Sequence, residues 1–510
     1  MALGDQPLHH QAHFGCLLIA SPQGHSGKTI VTVGLCDVLK RRGLLIQPFK
    51  KGPDYIDPSW LTVAAGRSCR NLDLFLVPQE QMVPSFWQAC QGADLALIEG
   101  AMGLYDGLDS HGTTSEIARL LNIPILLVVN TTRMTSSIAA MVTGYQNFEK
   151  DVQIAGVILN YVSGARHERK LKDAVEKYCN IPVVGSIPKN QDLRIIERHL
   201  GLIPSSESNE AESMVERIGR KLEPYLDLDR ILAAAHTSEP DLRTHSPSFT
   251  PHPQRRQSGF GTPATSAVPS GPEALADRRS TEERERARDR KTGTIRIGII
   301  RDRAFNFYYP ENLEALVKEG AELIIINSFK DRLPHLDGLY IGGGFPELFL
   351  NELEGNRGLR QDVAQSVQMG LPAYAECAGL MYLCRSISWQ NRCYEMVGVI
   401  DAEVQLSEKP EGHGYVVAEV IRENALFPVG LIIRGHEFHH SSLFHLKDLQ
   451  FICQIRRGQG ITGKSDGIVY KNLFASFFHL HALGTPEWAE GLISLASRER
   501  ESAREFAGEG

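Results

Sequence analysis

From Phe14 to about Leu228 short apolar runs alternate with longer stretches of helical spacing. The runs are LLIA (17–20), LLIQPF (44–49), ALIEG (96–100), PILLVVN (124–130), IAGVILN (154–160) and IPVVGSI (181–187). Several lie roughly 25–35 residues apart, the spacing of βα repeats that build a parallel sheet. The pattern stops near Ala234. From there to Thr292 the chain is rich in Pro, Ser, Thr, Arg and Glu, and ERERARDRK (283–291) closes the stretch. So few large apolar residues cannot offset the entropy of ordering, which predicts a disordered linker. A second alternation begins at Ile295 with IRIGII, ELIIIN, GLYIGGG and PAYAECAGL, and turns more strand-like afterwards. The last residues, from Ser497, read as a fraying polar end. The expected division is 14–232, a linker at 233–293, and 294–497, with both outer units α/β.

Bulk properties narrow the class. A chain of 510 residues is too long for one core. No apolar run reaches the roughly 18 residues of a membrane span, and the N-terminus has no secretory pattern. A net charge of −7 gives no reason to expect nucleic acid. Nine scattered cysteines without a CxxC pair fit reduced thiols in a cytoplasmic enzyme.

The chemistry starts at residues 15–58. An apolar strand leads into a loop ending Gly27-Lys28-Thr29, and a helical stretch follows. Strand, glycine-bearing loop and helix start form a phosphate cradle. Position 22 is Pro, so the strict P-loop pattern fails. Lys28 is expected on the outer phosphates and the Thr29 hydroxyl on Mg²⁺. Glu99, at the tip of another apolar run, and Asp54, in the rigid turn after Lys50-Lys51-Gly52-Pro53, are candidate metal ligands. Asp57 and Asp106 are further acidic candidates.

In the second half, Ala373-Tyr374-Ala375-Glu376-Cys377-Ala378-Gly379 has the strand, tight turn and helix of a nucleophile elbow. A thiol at such a helix start is favoured as thiolate. Gly342-Gly343-Gly344 ends another strand and offers N–H groups for an oxyanion hole. His479 and His481 stand on one side of a strand, and either could serve Cys377 as base. Cys384 reads as core. Gly435-His436-Glu437-Phe438-His439-His440 is a polar knot without a derivable role.

These residues belong to ordered motifs: FKKGPDYIDP (49–58), AGRSCRNLD (65–73), IEGAMGLYDG (98–107), ERHLGLIP (197–204), FNFYYPENLEAL (305–316), GGGFPEL (342–348), AECAGLMYL (375–383), RGHEFHHS (434–441) and ASFFHLH (475–481). Together they resemble the cobyrinic acid a,c-diamide synthase family. The resemblance implies a P-loop parallel-sheet synthetase domain akin to dethiobiotin synthetase, followed by a class I glutamine amidotransferase (flavodoxin-like) α/β domain. It implies ATP-dependent, glutamine-hydrolysing amidation of two acetate side chains of a tetrapyrrole through an acyl phosphate.

Carried onto this sequence, Cys377 is the nucleophile and His479 its base, with Gly343, Gly344 and Ala378 around the oxyanion. Gly24, Ser26, Gly27, Lys28, Thr29 and Asn160 bind ATP, and Thr29, Asp54 and Glu99 hold Mg²⁺. Lys51, Asp54, Tyr55 and Asp57 face the tetrapyrrole polycarboxylate, with Arg67 and Arg70 completing a basic pocket. ATP and L-glutamine are the other partners, and a second copy of the chain is a candidate one. Where a usual glutaminase has Glu two residues after the histidine, His481 stands here, as in a variant that works with Cys and His alone. Other departures are Ser21 for the first loop glycine, Leu61, Asn130, Tyr161, and Ala378 for Gly. They leave siroheme or a sirohydrochlorin open as the macrocycle. A nucleotide-switch ATPase and a non-catalytic tetrapyrrole carrier are rivals of other classes.

Overall fold

The computed structural model describes residues 14–108, 112–189, 197–198, 201–202, 204–205, 210–237 and 293–508. Most of the expected linker, 233–293, therefore lies outside the described residues, as do positions 199, 200 and 203 of ERHLGLIP.

The first unit is a seven-stranded sheet. Its strands are β1 (Gly15–Ala20), β2 (Ile46–Lys51), β3 (Arg70–Leu72), β4 (Leu95–Glu99), β5 (Ile125–Asn130), β6 (Ile154–Val162) and β7 (Val183–Pro188). They run in the order β3-β2-β4-β1-β5-β6-β7, and every pairing is parallel. Such a sheet is covered on both faces, which is why β1 reads as an unbroken apolar run and is buried at all six positions. One face packs Leu18, Phe49, Ile98 and Leu127. The other packs Leu17, Ile19, Leu97 and Val128 against Val31, Leu35 and Trp60. Helices α1 (Lys28–Arg41) and α2 (Ile56–Ala65) start from the loops after β1 and β2. Those loops and the one after β4 therefore open on one edge, where ligands of parallel sheets bind.

The second unit carries a ten-stranded sheet. Its parallel part comprises β10 (Ile295–Ile300), β11 (Ala321–Ile326), β12 (Gly338–Ile341), β13 (Ala373–Glu376) and β22 (Leu473–Ser476), ordered β11-β10-β12-β13-β22. The sheet continues antiparallel through β21 (Ser465–Tyr470), β20 (Gln450–Arg457), β17 (Gly412–Val420), β18 (Ile432–His439) and β23 (His479–Leu480). Because β23 follows β22 directly in sequence, the antiparallel half curls back, and β18 meets β23 with His436 opposite His479. The labels β8 and β9 denote the short pair Glu197–Arg198 and Gly201–Leu202. A separate four-stranded sheet comprises β14 (Cys384–Trp389), β15 (Arg392–Glu395), β16 (Ile400–Leu406) and β19 (Ser441–Phe444), in the order β15-β14-β16-β19.

The expectation of a fraying end from Ser497 is corrected. One helix runs from Glu487 to Gly508. Its buried Trp488, Leu492 and Ala496 join the core, and Arg500 donates to the Thr294 carbonyl at 3.1 Å, so its polar residues ride on an anchored helix.

Candidate active site

The loop after β1 reaches Gly27 with φ +89°, a conformation that favours glycine. A Cβ there would come 2.3 Å from Asn160 Nδ2, whose amide donates to the Ser26 carbonyl at 2.9 Å. Asn160 is thus brought onto the loop from the end of β6, and the Tyr161 hydroxyl lies beside it. Ser26 is buried and donates to the Gln23 carbonyl, whereas Gly24 is half-buried. Lys28 folds back to donate to Ser21 Oγ at 2.8 Å and the Met102 carbonyl at 2.7 Å. Burial and the neighbouring Lys50 bring its pKa down to about 8.

Beside the loop lies a knot of charge. Lys50 and Glu99 are register partners on β2 and β4. The Lys50 ammonium donates to Asp57 at 2.5 Å and Glu99 at 2.8 Å, with Asp54 at 3.8 Å. The Thr29 hydroxyl reaches Glu99 at 2.6 Å and Asp57 at 3.3 Å. Burial would lower the Lys50 pKa, but the three carboxylates more than offset it and hold it well above the ordinary value. Burial raises Asp54 to about 7, with Asp57 adding to the rise. For Asp57 the Lys50 charge overcomes burial and pulls the pKa down.

Thr29, Asp54, Asp57 and Glu99 form a hard oxygen set of the kind Mg²⁺ takes. Glu99 Oε2, fully buried and without a hydrogen-bond partner, leaves one acceptor open. Among the described residues no three acidic, His or Cys side chains form a metal cage by themselves. Mg²⁺ does not need one, since it normally keeps waters and phosphate oxygens.

The basic pocket is corrected. The cation that meets the carboxylates is Lys50. Alternation along β2 turns Lys51 to the other face, where it is 8% exposed and burial lowers its pKa. Arg67 donates to the Ala89 and Gln91 carbonyls. Arg70 is held by Glu311 at 3.1 Å and Glu314 at 2.5 Å in the second unit. Asp106 accepts from the Gly103 N–H in its own loop.

Cys377 sits at φ +49°, ψ −104°, directly before a helix spanning Ala378–Leu383. This is costly backbone for a residue with a side chain, and such strain collects at functional turns. The Cys377 N–H donates to the Ser476 carbonyl, so it is not free for an oxyanion. Ala378 opens the helix, where N–H groups lack intrahelical partners. A Cβ at Gly343 would lie 2.4 Å from the His479 ring, so the glycine strand end abuts the histidine directly. His479 Nδ1 lies 3.3 Å from Glu376 Oε2, and the Cys377 thiol beside it points to the Phe438 carbonyl at 3.9 Å, so Cys377 and Glu376 are the groups that act on the imidazole. Burial opposes its proton, but these partners outweigh it and raise the pKa to about 9.

His481 is turned away. Its Nδ1 accepts from Leu483 N–H, Nε2 lies 3.7 Å from Glu311, and burial lowers its pKa to about 4. Cys384 is core, its thiol directed at the Leu380 carbonyl. The polar knot now has a place. His436 stacks on His479 at 5.0 Å, with Nδ1 3.2 Å from the Tyr309 hydroxyl, and burial keeps it neutral. Glu437 accepts from the Gln459 and Gly460 N–H groups, and His439 stacks on Phe477 at 3.8 Å.

Tyr55 links the two centres. It follows Asp54 by one residue, stacks on Phe307 at 4.9 Å and lies 5.3 Å from the His479 ring. A cavity of about 550 Å³ opens beside it between α2 and the loop 301–310.

Residues 17–203 match the CobQ/CobB/MinD/ParA nucleotide binding domain, and residues 296–487 the CobB/CobQ-like glutamine amidotransferase domain. The chain is of the ligase class: an ATP-dependent carbon–nitrogen ligase with glutamine as amide donor. It is 41% identical over 490 residues to the cobyrinate a,c-diamide synthase of Magnetococcus marinus, covering 95% of this chain and 98% of that one. Identity to the enzyme of the same name from Methanosarcina acetivorans is 36% over 513 residues, covering 95% and 96%. For the one from Listeria innocua it is 36% over 477 residues, covering 92% and 97%. The chain belongs to the cobyrinate a,c-diamide synthase family.

Proposed function

We propose that this chain uses ATP and L-glutamine to convert the a and c acetate side chains of cobyrinic acid to amides, through an acyl phosphate. The observation that supports this most is Tyr55, whose ring touches the thiol–imidazole site while its neighbour Asp54 belongs to the carboxylate cluster. A pure nucleotide switch has no use for Cys377 and His479.

In this reading Cys377 Sγ attacks the glutamine carboxamide, and N–H groups of Gly343, Gly344 and Ala378 take up the oxyanion. His479 Nε2 passes the thiol proton to the leaving nitrogen, ammonia departs, and water later cleaves the glutamyl thioester. On the other side Gly24, Ser26, Gly27 and Asn160 shape the phosphate loop, and Lys28 and Lys50 counter phosphate charge. Thr29, Asp54 and Glu99, with Asp57 beside them, would hold Mg²⁺, which neutralises phosphate charge when bound. Lys51, Asp54, Tyr55 and Asp57 remain candidate contacts of the macrocycle. Residues 14–232 act as the synthetase, 294–497 as the amidotransferase, and 233–293 connect them. The nine free thiols fit a cytoplasmic location. Among the described residues no helix is long and apolar enough to cross a membrane.

The test is turnover with ATP, Mg²⁺ and glutamine, offering cobyrinic acid, sirohydrochlorin and siroheme separately, followed by product mass. Two amides on cobyrinic acid are expected. Amidation of another macrocycle alone would reassign the substrate, and no turnover of any, despite nucleotide binding, would favour a carrier.

A further inference from the structure

Glu376 precedes the nucleophile and is 1% exposed. Four donors meet its two oxygens. Oε1 accepts from the Tyr374 hydroxyl at 2.9 Å and the Leu480 N–H at 3.2 Å. Oε2 accepts from the Tyr340 hydroxyl at 3.0 Å and lies 3.3 Å from His479 Nδ1. The arrangement follows from the strands. Tyr374 and Glu376 are two residues apart on β13 and share a face, and Tyr340 on β12 is the register partner of Tyr374. Trp488 packs against both tyrosine rings and closes the compartment.

Two tyrosine hydroxyls and one backbone N–H converge on the carboxyl oxygens, the surroundings of an acceptor, and the lone-pair position left on Oε2 faces His479 Nδ1. His479 Nδ1 must then be the protonated nitrogen, which leaves Nε2 for Cys377. His481 cannot do this work, because it is engaged with Leu483 and faces Glu311.

We propose that Glu376 is the positioning carboxylate of the glutaminase site, so that the centre is a Cys377–His479–Glu376 triad rather than a two-residue pair. Its part is to hold the His479 tautomer and ring, and to stabilise the imidazolium formed when the thiol proton is taken up. It exchanges no proton. The Sγ–carbon bond forms, the carbon–nitrogen bond breaks, and the proton travels from Sγ through Nε2 to ammonia. This rests on the amidotransferase reading of Cys377.

The test is glutamine hydrolysis by the full-length chain across pH for wild type, Glu376→Gln and Glu376→Asp. The groups packed against His479 are Cys377, Glu376, Tyr55 and His436, with Tyr340 and Tyr374 behind the carboxylate. Glu376→Gln sets an amide NH₂ against one of these donors and favours the wrong tautomer, so kcat is expected to fall about 10²–10⁴-fold with KM for glutamine nearly unchanged. The alkaline limb of the profile, where the imidazolium loses the proton it gives to ammonia, should move to lower pH, and Glu376→Asp should recover part of the rate. A Glu376→Gln rate lowered equally at every pH, or not lowered, overturns the proposal.

Should the variant fail to fold, ¹⁵N-histidine NMR of wild type, assigned with His479→Gln, decides the matter. Recorded above pH 9, where the ring is neutral, a proton on Nδ1 supports the triad and one on Nε2 sinks it. Wild type that hydrolyses no glutamine under any condition refutes the amidotransferase reading itself, an outcome distinct from the others.

Discussion

Lys50 holds its charge while only 4% exposed, and the carboxylates of Asp57, Glu99 and Asp54 make that tolerable. Removing one partner of such a buried group costs about 3–5 kcal/mol, because the others stay charged and dry. Lys50→Met should lower the urea midpoint accordingly and abolish amide synthesis. Added Mg²⁺ should restore more stability to it than to wild type, since the freed carboxylates can take the cation. A midpoint that does not move would show the cluster to be solvated. At His479 the sign is also fixed. The folded value of about 9 lies above the ordinary 6.5, so the proton contributes stability that is complete below pH 6.5. That stability is lost as pH rises through about 9. Unfolding free energy measured from pH 6.5 to 9 should therefore fall more steeply in wild type than in His479→Gln.

At the level of elements, the loop after β1 depends on one glycine. Gly27→Ala faces a left-handed conformation costing roughly 1–2 kcal/mol and drives its methyl into the Asn160 amide. Nucleotide affinity measured by calorimetry should drop more than tenfold, while glutamine hydrolysis in the other unit persists. The same elements show what the sequence made legible. Parallel strands such as β1 and β5 announce themselves because both faces are buried, and Gly27-Lys28-Thr29, Glu99, Cys377 and His479 all sit at strand ends marked by turn residues. What stayed hidden depends on register and on long-range pairing. Lys50 and Lys51 are adjacent letters, and only the pairing of β2 with β4 decides which one meets Glu99. Glu376 does leave a usable signal, a charge in an apolar strand on one face with Tyr374. The curl that sets His436 on His479 arises from the pairing of β18 with β23, residues over forty positions apart, and leaves no local trace. The final helix reads as a polar end because its buried positions, Trp488 to Ala496, all precede Ser497.

Across the whole molecule, the two units are joined by side chains of mixed character. Arg70 pairs with Glu311 and Glu314, Tyr415 donates to Asp73 at 2.6 Å, and Arg434 stacks on Phe75. Leu76 meets Gly484 so closely that a Cβ at the glycine would lie 1.9 Å from the Leu76 carbonyl oxygen. Tyr55 depends on this seam for its contact with His479. Arg70→Ala should loosen it, so that the glutamate released per amide formed rises above the wild-type ratio while each half-reaction still runs alone. An unchanged ratio would mean that Arg70 has no part in coupling. The seam also explains what became of the residue two places beyond the active-site histidine. There His481 lies 3.7 Å from Glu311, the carboxylate that holds Arg70. With Glu376 on the strand before the nucleophile facing His479, the side chain two places on faces the seam instead. A homology-guided repair, His481→Glu, would set two acids face to face beneath Arg70 and pry the halves apart, with no gain for glutamine.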